Sequence, residues 1–274
     1  MSDKVQNKTP VVDKTKWLSI HAAKKFSQSG EDGIIAHIFS EIGFESKTFL
    51  EMGFGVPECN AWRLMDEEGF SGTFIDENRN VVRQFMAVTK GMKINRNAVK
   101  AWQSRITLET LSATMDLVSA PDEVDLLSID LDGNDYWIWE ALEMSARLVV
   151  IEYNPSPGKH RTVTIPYNPD FKWKSEYSGF YFGASLAALE ILGKKKGYRL
   201  IGCDPVGVNA FFLRDDIESP FETVTAEEAF RCEQKPLQGA RWRQVSKLPW
   251  TEIEEAQEEE IEEAQEEIAS DEEE

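Results

Sequence analysis

"FLEMGFGVPECNAWRLMDEEGFSGTFIDEN", residues 49–78, decides the fold. It opens on an apolar strand-like run and turns through two glycines, Gly53 and Gly55. A segment with helical spacing, "NAWRLMDEEGF", follows, and the chain then returns to a second strand-like run, "SGTFIDEN". Strands that alternate with helices pair in parallel and are covered on both faces.

The same alternation extends outward in both directions. Upstream, Ile34, Ile35, Ile38, Phe39 and Ile42 recur at helical spacing up to Gly43, with Ser29 and Asp32 of "FSQSGEDG" as a candidate capping box. Downstream, "VVRQFMAVTKG" reads as a helix, "MKINRNAV" as a third strand and "LETLSATMDLVS" as a helix. "VDLLSIDLD" reads as a fourth strand, "DYWIWEALEM" as a helix and "ARLVVIEYN" as a fifth strand. After an aromatic insertion from Pro155 to about Phe182, "ASLAALEILGKKKG" is a helix, and "YRLIGCDPVGVNAFFLRDD" forms two strands joined by a turn. The expected fold is α/β: a doubly wound, mostly parallel seven-stranded sheet of Rossmann type, with an antiparallel C-terminal hairpin strand at its edge.

Four regions are expected: a disordered segment over 1–15, the α/β domain over 16–216, an irregular extension over 217–250 and an acidic low-complexity tail over 251–274. The net charge of −19 belongs mostly to the tail. Residues 252–274 hold 14 acidic residues and no basic one, and the rest of the chain carries only −5. Two octads, "IEEAQEEE" and "IEEAQEEI", repeat there, and the tail could contact a basic partner. No basic patch with interleaved aromatics is present, so nucleic acid is not an expected partner. No apolar run of about 18 residues and no apolar leader is seen, so no membrane association is expected and the protein reads as cytoplasmic. Cys59, Cys203 and Cys232 are odd in number and widely spaced, as reduced packing residues are.

In a doubly wound sheet, ligands bind beyond the carboxyl ends of the strands. Those ends offer Glu51, Gly53 and Gly55; Asp76, Glu77 and Asn78; Asp130, Asp132 and Asn134; and Glu152, Tyr153 and Asn154. The two glycines are not G-x-G-x-x-G, since Glu58 occupies the third position, and no G-K-[ST] follows them. Asp76, at the end of the second strand, stands where an acid accepts hydrogen bonds from ribose hydroxyls. Glycines and acid together point to a nucleoside.

The ordered blocks "FSQSGEDGIIAHIF", "FLEMGFG", "GTFIDEN", "DLLSIDLDGND", "LVVIEYNPS" and "GYRLIGCD" resemble the FkbM-like class I methyltransferases over residues 26–214. The resemblance implies S-adenosylmethionine as cofactor and methylation, on oxygen, of a small molecule or sugar. It implies that Glu51, Gly53 and Gly55 line the methionine and ribose part, that Asp76, with Glu77 beside it, binds the ribose, and that Gln28 touches the cofactor. Asp130 would face the methionine amine or the acceptor. Where many members carry D-x-E-G, this chain has "DLDGND".

Three readings of Asp130, Asp132 and Asn134 stay open. They form a Mg²⁺ site completed by Glu152 and Asn154, as some class I O-methyltransferases do at these strand ends. They are the D-x-D of a metal-dependent glycosyltransferase. Or they contact cofactor and cap the helix that begins near Asp135. A third kind of function is a non-catalytic nucleoside-binding protein whose acidic tail recruits a partner. His160 in "PSPGKHRTV" is the candidate base beside Asp130; Tyr153, Tyr167, Trp173, Tyr177 and Tyr181 are candidates to shape the acceptor pocket. Asn209 reads as a turn residue without a role.

Overall fold

The computed structural model describes residues 18–56, 58–90, 98–173, 179–231 and 235–255. The expected N-terminal disordered segment, most of the acidic tail, Tyr177 and Cys232 lie outside them.

Helix α1 (Glu31–Ile42) leads into β1 (Thr48–Met52), α2 (Trp62–Glu67), β2 (Ser71–Asp76), α3 (Arg79–Thr89), β3 (Val99–Gln103), α4 (Leu111–Val118), β4 (Glu123–Ile129), α5 (Asp135–Ala141) and β5 (Ser145–Glu152). The insertion contributes β6 (Val163–Thr164). Then come α6 (Leu186–Lys195), β7 (Tyr198–Cys203), β8 (Asn209–Arg214), α7 (Ala226–Ala229), α8 (Lys235–Val245) and β9 (Thr251–Glu252).

The sheet has seven strands in the order β3-β2-β1-β4-β5-β8-β7, the order of a doubly wound, Rossmann-like sheet with one strand inserted near its far edge. All are parallel except β8, which runs antiparallel to both β5 and β7. That strand is therefore not at the edge, where the hairpin was expected to place it. It is inserted between β5 and β7, and Phe211, Phe212 and Leu213 are wholly buried there.

The sheet is buried on both sides because its strands carry apolar residues on both faces. Leu50, Met52, Leu127 and Ile129 face one cluster with Leu111 of α4, Trp139 of α5 and Leu189 of α6. Phe49, Phe74, Leu126 and Phe211 face the other with Ile34 of α1, Trp62 of α2 and Phe85 of α3. Helices thus cover both faces.

Two local expectations change. The third strand begins at Val99, the last residue of the segment read as that strand. Helix α1 is capped by Gly30 at φ 93°, not by Ser29. The Asp32 carboxylate instead folds the preceding turn, accepting from Lys25 N, Phe26 N and Ser27 Oγ.

The region after β8 returns to the domain. Val224, Ala226 and Ala229 join the core, and β9 pairs with β6 in a second, two-stranded antiparallel sheet. Among the described residues no helix is long and apolar enough to cross a membrane.

Candidate functional site

Strand order reverses between β1 and β4, and the chain leaves these neighbours in opposite directions. A crevice must open above their carboxyl ends. Gly53 has φ 74°, and a Cβ there would lie 1.6 Å from the Asp130 carbonyl oxygen. The glycine is demanded first by the meeting of two strand ends, where Asp130 N donates to Met52 O at 2.8 Å.

Three adjoining cavities form one trough along this edge. The first, about 340 Å³, runs over β2 and β3 and is lined by Asp76, Glu77, Ser104, Arg105, Ile106, Phe171 and Trp173. The central one, about 320 Å³, shares Gly53, Asp76, Asp130 and Asp132 with it and adds Gln28, Glu31, Glu51, Gly55, Glu58, Glu152 and Asn209. The third, about 360 Å³, continues past Gln28 and Glu152 to Tyr153, Phe180, Phe182 and Val208.

The central cavity carries seven carboxylates, and among the described residues that line it none is basic. Some of the acids are already satisfied. The two Glu51 oxygens accept from Asn60 N at 2.9 Å and Ala61 N at 2.8 Å, which ties the end of β1 to the start of α2. Burial nevertheless pushes the Glu51 carboxyl up to about 7. Asp76 accepts from Phe54 N at 3.3 Å and Asn78 N at 2.6 Å, so its carboxylate is held in place. Burial raises its pKa above the usual range, while those N–H groups oppose the rise.

Asp130, Asp132 and Glu152 form the part with no donors to offset it. One carboxylate oxygen from each lies within 4.8 Å of the others. Burial, then the Asp135 and Asp132 charges, hold Asp130 well above the ordinary carboxylate range. Burial, then Asp130, do the same to Glu152. Asp130 and Glu152 therefore titrate as a pair, and Glu152 Oε2 is buried with no hydrogen-bond partner.

The five-residue oxygen set expected here separates. Asn134 is turned to the insertion: its Nδ2 donates to Asn168 O at 2.9 Å and its Oδ1 accepts from Asn168 N at 3.5 Å, pinning the insertion over the β4 loop. Asn154 is wholly buried and donates to Phe180 O and Phe182 O while accepting from Ser156 N. Asp135 holds the loop itself, accepting from Leu131 N and Gly133 N, with burial pushing its carboxyl to about 6. Asp132, at φ 55°, is left pointing out of that turn and exposed.

His160 lines none of the three cavities. Its side chain is 67% exposed and stands 3.9 Å from Glu227. Glu77 faces the first cavity and pairs with Arg105 at 3.4 Å. Of the aromatic candidates, Tyr153 lines the third cavity and donates to Arg231 O, and Trp173 walls the first. Tyr167 donates to Glu109, and Tyr181 packs on Trp250.

Three contributions were not read from the sequence. Ser104–Ile106 follow β3, and placing that strand too early hid its carboxyl end. Glu31, buried at the start of α1, reaches the central cavity from outside the sheet. Asn209, 3% exposed, donates from Nδ2 to Glu31 Oε1 at 3.0 Å, and its Oδ1 is buried without a partner. Its register position opposite Glu152 could have been found only from the sheet order.

No family model matches the chain, and no curated protein does. Among solved structures it is similar to a putative O-methyltransferase from Klebsiella pneumoniae (14% identity, 75% of this chain and 90% of that one, TM-score 0.42). It is also similar to the N-terminal domain of EvdMO1 with SAH bound (9%, 68% and 80%, TM-score 0.40). A third is a SAM-dependent methyltransferase from Aquifex aeolicus (14%, 65% and 88%, TM-score 0.37). These likenesses are loose, and residue roles do not transfer across them.

Proposed function

We propose that the protein is an S-adenosylmethionine-dependent methyltransferase, of FkbM-like type, acting on an oxygen of a small molecule or sugar. The observation that carries the reading is the charge of the central cavity: seven carboxylates and, among its described lining residues, no basic one. A sulfonium and an ammonium fit such a lining, whereas the diphosphate of a nucleotide sugar is repelled by it.

Residue roles follow from position. Asp76, fixed by two backbone N–H groups, accepts from the ribose hydroxyls, with Glu77 beside it. Ile75, Ile106 and Phe171 give the first cavity apolar walls suited to a purine. Gly53 and Gly55 let the β1 turn lie close to the cofactor, and Gln28 borders it from the segment before α1. Glu51 supports that turn through Asn60 and Ala61 rather than through the ligand.

When bound, the cofactor supplies an electrophilic methyl group and leaves as S-adenosylhomocysteine. The chain's own task is to align the acceptor and take its proton. The Asp130–Glu152 pair is the group placed for this, because both line the central cavity, Glu152 borders the third as well, and burial raises the affinity of both for protons. The acceptor enters along the third cavity, past Phe180 and Phe182.

The test is thermal unfolding of the full chain with S-adenosylhomocysteine, S-adenosylmethionine or a nucleotide sugar. Both adenosyl ligands should raise the melting temperature and the nucleotide sugar should not. No shift with either adenosyl ligand at saturation defeats the proposal.

A further inference from the structure

The trough changes charge along its length. The charged residues that line its central part are all acids, whereas the third cavity has a base in its wall, Arg241 of α8. Among the described residues lining that third cavity Arg241 is the one base and Glu152 the one acid. Glu152 is shared with the central cavity and marks the end nearest the acids, while Arg241 lines the third cavity alone.

The arginine is held in its place. Helix α8 is pinned to the aromatic insertion, where Gln238 Nε2 donates to Ser156 O at 2.9 Å and the Arg161 guanidinium lies over the Trp242 ring, 4.5 Å from its centroid. The Arg241 guanidinium lies over the Phe180 ring at 4.8 Å, and its Nε is shut off from solvent. Stacking on a ring uses the face of a guanidinium, and a carboxylate or phosphate is recognised at its edge, through two parallel N–H bonds. Taking a guanidinium into a cavity wall costs hydration, which a bound anion offsets. Around it Tyr153, Phe182, Val206 and Val208 supply apolar surface, and a volume of about 360 Å³ suits a small molecule.

We infer that the acceptor is a small hydroxylated anion, whose carboxylate or phosphate binds Arg241 while its hydroxyl points back to the central cavity. The seven carboxylates there repel the anionic end, so the charge of the trough fixes which end of the acceptor goes in first. The hydroxyl end of this inference rests on the methyltransferase reading; the anion end does not. The anionic group is a spectator in the transfer. The hydroxyl oxygen gains the methyl, the sulfur keeps the electron pair of the broken S–C bond, and the hydroxyl proton passes to the base already described.

The test is calorimetric titration of the full-length chain, with and without S-adenosylhomocysteine, using two matched pairs of probes. These are para-hydroxybenzoate against para-hydroxybenzamide, and glycerol phosphate against glycerol. At least one anion should bind saturably, and its neutral partner about tenfold or more weakly. The pair that responds tells carboxylate from phosphate. Arg241→Met should lose the same factor for the anion, and its thermal shift with S-adenosylhomocysteine should match that of the wild type, showing that the fold stands. The matched pairs test the charge on the wild-type chain, whatever becomes of the variant. A neutral compound that binds as tightly as its anion, or undiminished anion affinity in a folded Arg241→Met chain, overturns the inference. So does a chain that binds S-adenosylhomocysteine and neither anion. An anion that binds through Arg241 in a chain without any response to adenosyl ligands leaves the anion site standing and removes the methyltransferase reading instead.

Discussion

Strand β4 carries a wholly buried aspartate near its start and is followed by a half-buried one just past its end, and the chain treats them oppositely. Asp125 is wholly buried and its two oxygens accept from Glu45 N, Ser46 N, Ser46 Oγ and Lys47 N, with Arg147 Nε at 3.2 Å. Asp130 faces Asp132, Asp135 and Glu152 and meets no cation among the described residues. The first is a charge spent on structure, closing the loop between α1 and β1 onto the foot of the sheet. The second is a charge left over for something the chain does not supply. Folding selects against the second arrangement unless binding repays it.

The contrast can be broken most forcefully at the amino end. Asp125→Ala leaves three backbone donors and Arg147 without their acceptor, and should cost about 3–5 kcal/mol in denaturant unfolding. Gly53→Ala should be the severest change at the other end, costing roughly 2 kcal/mol or more, because its Cβ meets the Asp130 carbonyl at a positive φ.

Asp130→Asn should behave inversely to Asp125→Ala. It removes like-charge repulsion, so stability at neutral pH should hold or rise by about 1 kcal/mol, while methyl transfer is lost. A loss of several kcal/mol would mean that Asp130 is structural after all. Asp76→Ala should leave unfolding within about 1 kcal/mol of wild type yet abolish the thermal shift with S-adenosylhomocysteine.

A last expected effect is a slope rather than a step. Glu51 titrates near 7 in the folded chain, above its ordinary value of 4.5, so folding takes up a proton between those values. Its contribution therefore favours the folded state at low pH and fades as pH rises through that window, by up to roughly 3 kcal/mol. In Glu51→Gln the decline in stability from pH 4.5 to 7 should flatten. An unchanged slope would show that the two backbone N–H groups offset burial.

The alternation of strand and helix was legible because buried parallel strands need continuous apolar runs and their connecting helices need 3.6-residue spacing; residues 49–78 show both. Asp76 and Asp130 were legible for the same reason, since polar residues that end an apolar run stand at the carboxyl edge. The described part of the third strand, Val99–Gln103, pairs with β2 and runs on past the segment "MKINRNAV" that was read as that strand, whose residues 92–97 lie outside the described ones. Ser104–Ile106 follow its carboxyl end and were lost with it.

By itself, the sequence determined the fold class and the acids along one edge, because both follow from local patterns of burial. Only the tertiary structure decided which of those acids meet. A hydrogen bond to a distant backbone oxygen removed Asn134 and Asn154 from the cluster. The insertion of β8 beside β5 brought Asn209, which looks like a turn residue in sequence, opposite Glu152. Neighbours across a sheet are set by strand order, and strand order leaves no mark in the spacing of residues along the chain.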